Sequence, residues 1–225
     1  MTQVSVLIPA YNEGKRIGQT VKSLKSAGFQ GQIIVVDDGS KDDTAKIAAE
    51  SGAKVFQLLV NKGKGEAIMA AFSYLTGDIV LLLDADLQGS ASEALILLEP
   101  IRASKADMTV ARFSKERSGQ GFGLAKNTAV MGIKLITGED IVAPLSGQRC
   151  MRKEVLATLM PLAPRFGLEV GMTVDALRKG YRIYEIETGL KHCPPGRDWQ
   201  GFLHRGAQFW DICLALGKRA WGGAR

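Results

Sequence analysis

A chain of 225 residues that is 46% hydrophobic and 23% charged has the composition of a soluble globular protein, with room for one large domain or two small ones. Its net charge of +6 suits a phosphorylated or otherwise anionic ligand, or weak contact with an acidic membrane surface. The basic residues are scattered, without an aromatic-rich patch, which argues against nucleic acid as a partner. Cys150, Cys193 and Cys213 lie far apart and lack metal-ligand spacing, pointing to a reduced, cytoplasmic setting. The first residues already read as a strand rather than as a signal peptide, and no apolar run approaches the roughly 20 residues needed to cross a bilayer. The expectation is a cytoplasmic protein, at most peripheral on the inner membrane surface.

In chain order, Val4 to Ile8 is a β-branched run closed by Pro9, and Ile17, Val21 and Leu24 fall at helical spacing after Asn12-Glu13-Gly14. Gln32 to Val36 predicts a second buried strand, followed by a helix capped by Asp42 or Asp43 and stopped near Gly52. Lys54 to Leu58 reads as a third strand, and Gly63-Lys64-Gly65 leads into a helix reaching about Leu75. The run Ile79 to Leu83 is the fourth strand. These alternations predict an α/β fold, a Rossmann-like, mostly parallel sheet with helices on both faces. Further on, the pattern predicts helices over Ser90–Ala103, Leu124–Ile136, Lys153–Met160 and Leu168–Lys179, with strands over Asp107–Ala111 and Tyr181–Ile186. From Trp199 the chain turns amphipathic and basic, with Phe202, Phe209, Trp210, Cys213, Leu214 and Leu216 on roughly one face, which suits a core element, a homodimer contact or a peripheral membrane contact.

The stretch from Asp78 to Gln88 organises the reading. An all-apolar strand implies burial on both sides, and such parallel sheets place ligands outside their carboxyl ends, where Asp84 and Asp86 stand. In an extended segment, side chains two residues apart share a face, so the two carboxylates are expected to aim at one point. Carboxylates beside an apolar core need compensation, and a divalent cation commonly supplies it. Pro9-Ala10-Tyr11-Asn12-Glu13 and Asp37-Asp38-Gly39-Ser40 end two other strands on the same edge. There Asp38 can accept a pyrimidine imide proton and Tyr11 can cover a ring. Gly63-Lys64-Gly65 offers backbone N–H groups and an ammonium to phosphate oxygens.

The order and spacing of these clusters closely resemble the family-2 glycosyltransferases over about the first 112 residues. The resemblance implies a single GT-A domain over 1–225, with a nucleotide-binding half to residue 112 and an acceptor-side half over 113–225. It also implies a nucleotide-diphosphate sugar donor and a divalent metal. Pro9, Ala10, Tyr11 and Glu13 with Asp38 would hold the nucleoside, and Lys64 and Arg112 would face the pyrophosphate. Asp84, with Ala85, would approach the ribose or sugar, Asp86 would bind the metal, and Gln88 would make a further metal contact. Phe166 to Asp175 followed by Lys191-His192 resembles the glucosyl-3-phosphoglycerate synthases, which implies a metal ligand in His192 and a carboxylate at the reacting sugar in Glu169. Ser146, Gln148, Arg149 and Arg197 are the acceptor-side candidates.

Asp86 with His192 fits Mg²⁺ or Mn²⁺. The expected activity is transfer of a sugar from a nucleotide diphosphate donor, UDP-linked by preference, to a hydroxyl or phosphate acceptor of phosphoglycerate-like kind. A polyprenyl-phosphate sugar synthase acting at a membrane surface is the alternative within the class. A nucleotidyltransferase would share the acidic pair but consume a nucleoside triphosphate, and a non-enzymatic binding module would hold UDP-sugar without turnover.

Overall fold

The structure is a computed structural model that describes residues 3–113, 123–191 and 199–221, with side chains described in the last helix from Phe209 to Ala220. Its strands are β1 (Val4–Ala10), β2 (Gln32–Asp37), β3 (Lys54–Gln57), β4 (Ile79–Leu82), β5 (Met108–Phe113), β6 (Arg149–Arg152) and β7 (Ile183–Thr188). Its helices are α1 (Gly14–Ser26), α2 (Thr44–Glu50), α3 (Lys64–Ala71), α4 (Leu98–Arg102), α5 (Gly123–Thr137), α6 (Lys153–Thr158), α7 (Leu168–Arg178) and α8 (Trp199–Trp221). The strands form one seven-stranded sheet in the order β3-β2-β1-β4-β6-β5-β7. All neighbours are parallel except at β6, which runs antiparallel to both β4 and β5.

The apolar runs explain the layering. Alternate side chains of a strand leave on opposite faces, so a strand apolar throughout has to be covered twice. Val6, Ile8, Leu81 and Leu83 pack with Ile17, Val21 and Leu24 of α1 on one face. Leu7, Val36, Val80 and Leu82 pack with Ile68 of α3, Leu156 of α6 and Leu168 and Met172 of α7 on the other. A third cluster joins Ala129 and Ile133 of α5, Val170 and Val174 of α7, and Ile212 and Leu216 of α8. Truncating a fully buried residue such as Leu81 would cost about 2–5 kcal/mol.

Among the departures from the sequence reading, four bear on the architecture. Strand β1 runs through Pro9 to Ala10, because its ladder to β4 has already ended at Leu7 and the missing N–H of Pro9 leaves no gap there. The helix expected over Ser90–Ala103 is a 3₁₀ segment, Gln88–Leu97, followed by α4. Pro100 has no N–H for the carbonyl of Ile96, and restarting the helix at Leu98 puts the proline in a first turn, where no donor is needed. Strand β6 is not among the elements read from the sequence. Finally, α8 buries Ile212, Ala215 and Leu216, whereas Phe209, Trp210 and Leu214 are exposed. At 100° per residue, positions 210 and 214 lie opposite 212 and 216, so the apolar residues of this helix cover two faces rather than one. Among the described residues no helix is long and apolar enough to cross a membrane.

Candidate active site at the carboxyl edge of the sheet

β1, β2 and β4 are mutually parallel, and β5 runs the same way because both it and β4 are antiparallel to β6. The segments after β1, β2 and β4, which carry Tyr11–Glu13, Asp38–Ser40 and Asp84–Asp86, and the end of β5 with Arg112 therefore emerge on one edge. The loop that enters β6, residues 144–148, reaches that edge from the other direction.

The loops after β1 and β2 are laced together. The Asn12 N–H donates to Ser40 Oγ at 2.8 Å, the Lys41 N–H to Asn12 Oδ1 at 2.9 Å, and the Glu13 N–H to Thr44 Oγ1 at 2.8 Å. Asp42 supplies acceptor oxygens to this corner, accepting from the N–H groups of Gly14 at 3.0 Å and Thr44 at 3.1 Å. Tyr11 projects from the corner with 42% of its surface exposed, so its ring is available to a ligand. Pro9 is half-buried and Ala10 buried beneath it.

Asp38 is buried and both its oxygens are engaged: Oδ1 accepts from the Lys62 N–H at 2.8 Å and Oδ2 from the Gly63 N–H at 2.7 Å. It thereby fixes the turn that opens α3 and places Lys64 at that helix's first position. Gly39, at φ +74°, lets the same turn pass close by, since a Cβ there would lie 2.8 Å from the Val60 carbonyl carbon.

Lys64 is the hub of the edge. Its ammonium donates to Asp84 Oδ1 at 2.7 Å and to Glu169 Oε1 at 3.0 Å. Burial works against its charge, but the carboxylates of Asp84 and then Glu169 outweigh that effect and hold its pKa above the ordinary lysine value. Gln148 Nε2 donates to Asp84 Oδ2, and Ser146 Oγ donates to Gln148 Oε1 at 3.2 Å. A Cβ on Gly147 would lie 2.9 Å from both carboxylate oxygens of Asp84, so the absence of a side chain lets the 144–148 loop close over the pair.

The chain turns at Ala85–Asp86 instead of continuing extended, so the two acids do not share a direction by strand geometry. Thr20, wholly buried on α1, pins this turn: its hydroxyl donates to the Ala85 carbonyl at 2.8 Å and accepts from the Gln88 N–H at 2.8 Å. Gln88 sits in the left-handed region, at φ +48°. Glu13 is the acid near Asp86. Burial pushes the Glu13 carboxyl up, Arg16 counters, and the charges of Asp86 and Asp42 push it further. Glu13 Oε2 is buried and lies 2.6 Å from Arg16 Nε without the alignment of a hydrogen bond.

Among the described residues no group of three or more His, Cys, Asp or Glu side chains could hold a metal by itself. Asp86, half-buried and close enough to Glu13 to raise its pKa, fits a hard cation that takes its remaining ligands from phosphate oxygens and water, the usual habit of Mg²⁺. The amide oxygen of Gln88 is of the same hard type.

Arg112 is half-buried at the carboxyl end of β5, and its carbonyl accepts from Thr188 Oγ1 at 3.0 Å. Arg149 is 1% exposed, and its guanidinium points inward to Ser146, Pro144 and Thr173. His192 and Arg197 lie outside the described residues. Sequence reasoning did not single out Thr20 or Thr173. Both are threonines at helical positions, where nothing in a sequence separates a hydroxyl that pins a loop from one that caps its own helix.

Residues 5–156 match the family model described as Glycosyl transferase family 2. The chain is 29% identical over 199 residues to the glycosyltransferase AglJ of Haloferax volcanii, covering 87% of this chain and 65% of that protein. It is 33% identical over 200 residues to the undecaprenyl-phosphate 4-deoxy-4-formamido-L-arabinose transferase of Edwardsiella ictaluri, covering 84% of this chain. The chain thus spans 65% and 59% of the lengths of these two relatives. Among solved structures it superposes on glucosyl-3-phosphoglycerate synthase from Mycobacterium tuberculosis in complex with Mg²⁺ and UDP, with a TM-score of 0.83, 26% identity and coverage of 97% of this chain and 79% of that one. The same synthase with Mn²⁺, UDP and phosphoglyceric acid gives a TM-score of 0.83 at 25% identity, covering 99% of this chain and 80% of that one. The α/β sheet is that of the GT-A fold, and the chain belongs to glycosyl transferase family 2.

Proposed function

We propose that the chain is a metal-dependent glycosyltransferase that moves a sugar from a nucleotide diphosphate donor, UDP-linked, to a small phosphorylated acceptor of phosphoglycerate-like kind. The observation that carries this reading is the meeting of Lys64, Asp84 and Glu169 at the edge shared by three strand ends. Residues 1–112 would serve the donor and 113–225 the acceptor, within one catalytic domain and in a cytoplasmic setting.

In this reading Pro9, Ala10, Tyr11 and Glu13 hold the nucleoside together with the Asp38 turn. Lys64 and Arg112 place positive charge on the diphosphate. Asp84 and Ala85 border the ribose and sugar, and Asp84 is kept in place by Gln148. A divalent cation held by Asp86, with Gln88 and His192, would neutralise charge on the departing nucleotide. Glu169 stands beside the reacting carbon. Its carboxylate there either takes the proton of the acceptor hydroxyl or steadies positive charge on the sugar. Ser146 and Gln148, with Arg197, border the acceptor. The synthases that superpose on this chain with UDP and phosphoglyceric acid support that assignment.

A membrane-bound polyprenyl phosphate is the second reading of the acceptor. It is favoured by the undecaprenyl-phosphate transferase relative and by the exposed Phe209, Trp210 and Leu214 of α8. The test is a turnover screen of UDP- and GDP-sugars with Mg²⁺ or Mn²⁺, each with 3-phosphoglycerate and with a polyprenyl phosphate in detergent. The reading predicts metal-dependent release of UDP that rises with 3-phosphoglycerate. Release only with the lipid would transfer the acceptor to the second reading. Pyrophosphate release from a nucleoside triphosphate, with sugar nucleotides inert, would overturn both.

A further inference from the structure

Arg149 opens β6 and is the largest wholly buried side chain described. An arginine with no access to water ordinarily sits on a carboxylate, because an uncompensated charge in the interior is costly. Here its hydrogen bonds go to uncharged acceptors. Nε donates to the Ser146 carbonyl at 2.9 Å and Nη2 to the Pro144 carbonyl at 3.1 Å, so the guanidinium grips the loop entering β6 at two points. Nη1 donates to Thr173 Oγ1 at 2.9 Å and lies 3.7 Å from Met108 Sδ. Burial depresses the Arg149 pKa to about 10, with the charges of Glu169 and Glu185 opposing the fall, so the group stays a cation at neutral pH.

The two ends of this fork lead to different acidic residues, one through its carboxylate and the other through its backbone. The gripped loop carries Ser146, whose hydroxyl holds Gln148, and Gln148 holds Asp84. On the other side, the Thr173 hydroxyl accepts from Arg149 and donates to the Glu169 backbone carbonyl at 2.9 Å, at the first turn of α7. One Lys64 ammonium reaches both Asp84 and Glu169, so the separation of the two acids decides whether it can hold them together. A guanidinium is planar and rigid, which suits it to setting a distance, whereas a lysine or a neutral isostere could satisfy one branch at most. We infer that Arg149 is a positioning residue that sets the spacing of Asp84 and Glu169, joining the 144–148 loop to the start of α7 through Thr173. The inference rests on the glycosyltransferase reading for its kinetic consequence but not for its structural one.

The test therefore has two arms. In the first, amide hydrogen exchange is followed in wild type, Arg149→Met, Arg149→Lys and Thr173→Val. Arg149→Met is expected to lose protection in residues 144–148 and in residues 168–172 together, with β1 and β2 unchanged. Thr173→Val, which cuts one branch and is the gentler variant, is expected to lose it in residues 168–172 alone. Uniform loss across β1 and β2, or no loss in either segment, would overturn the inference. The second arm is steady-state turnover. Arg149→Met should lower kcat by about 100-fold, as displaced reacting groups do, while KM for the sugar nucleotide stays within about threefold. Arg149→Lys should recover part of the loss, and Thr173→Val should add little to Arg149→Met, since both cut the same link. A loss confined to KM, or full additivity, would also overturn the inference. Wild type without sugar-nucleotide turnover would remove the reading of the reaction and leave the exchange arm to decide the positioning.

Discussion

Lys64 and Glu169, 105 residues apart in the chain, meet at 3.0 Å, and the same ammonium reaches Asp84 at 2.7 Å. The contact ties the start of α3 to the start of α7 and to the end of β4. On the proposed reading, a donor diphosphate arriving at this edge would meet a cation already shared between two acids, so binding would redistribute those contacts.

Removing that cation has a pH signature. The three side chains are 27%, 24% and 14% exposed, between a surface pair and a buried one. Lys64→Met is accordingly expected to cost about 2 kcal/mol of stability. Because the folded pKa of Lys64 lies above its ordinary 10.5, its contribution is fully present below that value and is lost only as pH rises through the folded pKa. Urea unfolding of wild type and variant should show a constant difference between about pH 7 and 9. A difference that shrinks within that interval would place the lysine elsewhere.

Asp38 makes a separate prediction. Asp38→Ala leaves the N–H groups of Lys62 and Gly63 without their acceptor in part-buried positions, and losing both bonds is costly. The variant should lose about 2–3 kcal/mol in denaturant titration. It should also bind UDP more weakly, since the turn that presents Lys64 loses its anchor. Unchanged stability would show that the carboxylate does not hold this turn.

Gly147→Ala tests close approach rather than backbone freedom. The new methyl group would meet both oxygens of Asp84 at 2.9 Å, and those oxygens are held by Lys64 and Gln148. The loop must retreat, so turnover is expected to fall by about 10- to 100-fold, with a smaller change in melting temperature. Wild-type turnover in this variant would mean that the loop does not seat Asp84.

Much of this arrangement could be read from the amino-acid order because burial writes itself into strands. β1, β2 and β4 are apolar runs that end in acids or in Pro-Ala-Tyr-Asn-Glu, and a parallel sheet brings such ends to one edge. β6 escaped because its four residues, Arg149-Cys150-Met151-Arg152, carry a charge at each end and follow a Pro/Gly turn. Its strand character comes from β4 and β5 on either side, not from its own composition. The partners of Lys64, Asp38 and Arg149 were equally hidden. Each is joined to a residue 24 to 105 positions away, and no local pattern signals such a pairing. The expectation for Asp84 and Asp86 assumed extended backbone, and the structure puts a turn pinned by Thr20 there instead.

The central claim is that the strand ends at this edge bind a sugar nucleotide through a cation on Asp86, and calorimetric titration of UDP tests it most directly. Wild type and Asp86→Ala would each be titrated with Mn²⁺ and again with the metal chelated. The account predicts that Mn²⁺ tightens UDP binding to wild type by about tenfold or more, and that Asp86→Ala binds UDP in Mn²⁺ no better than wild type does without metal. Equal UDP affinity for the two proteins in Mn²⁺ would contradict it.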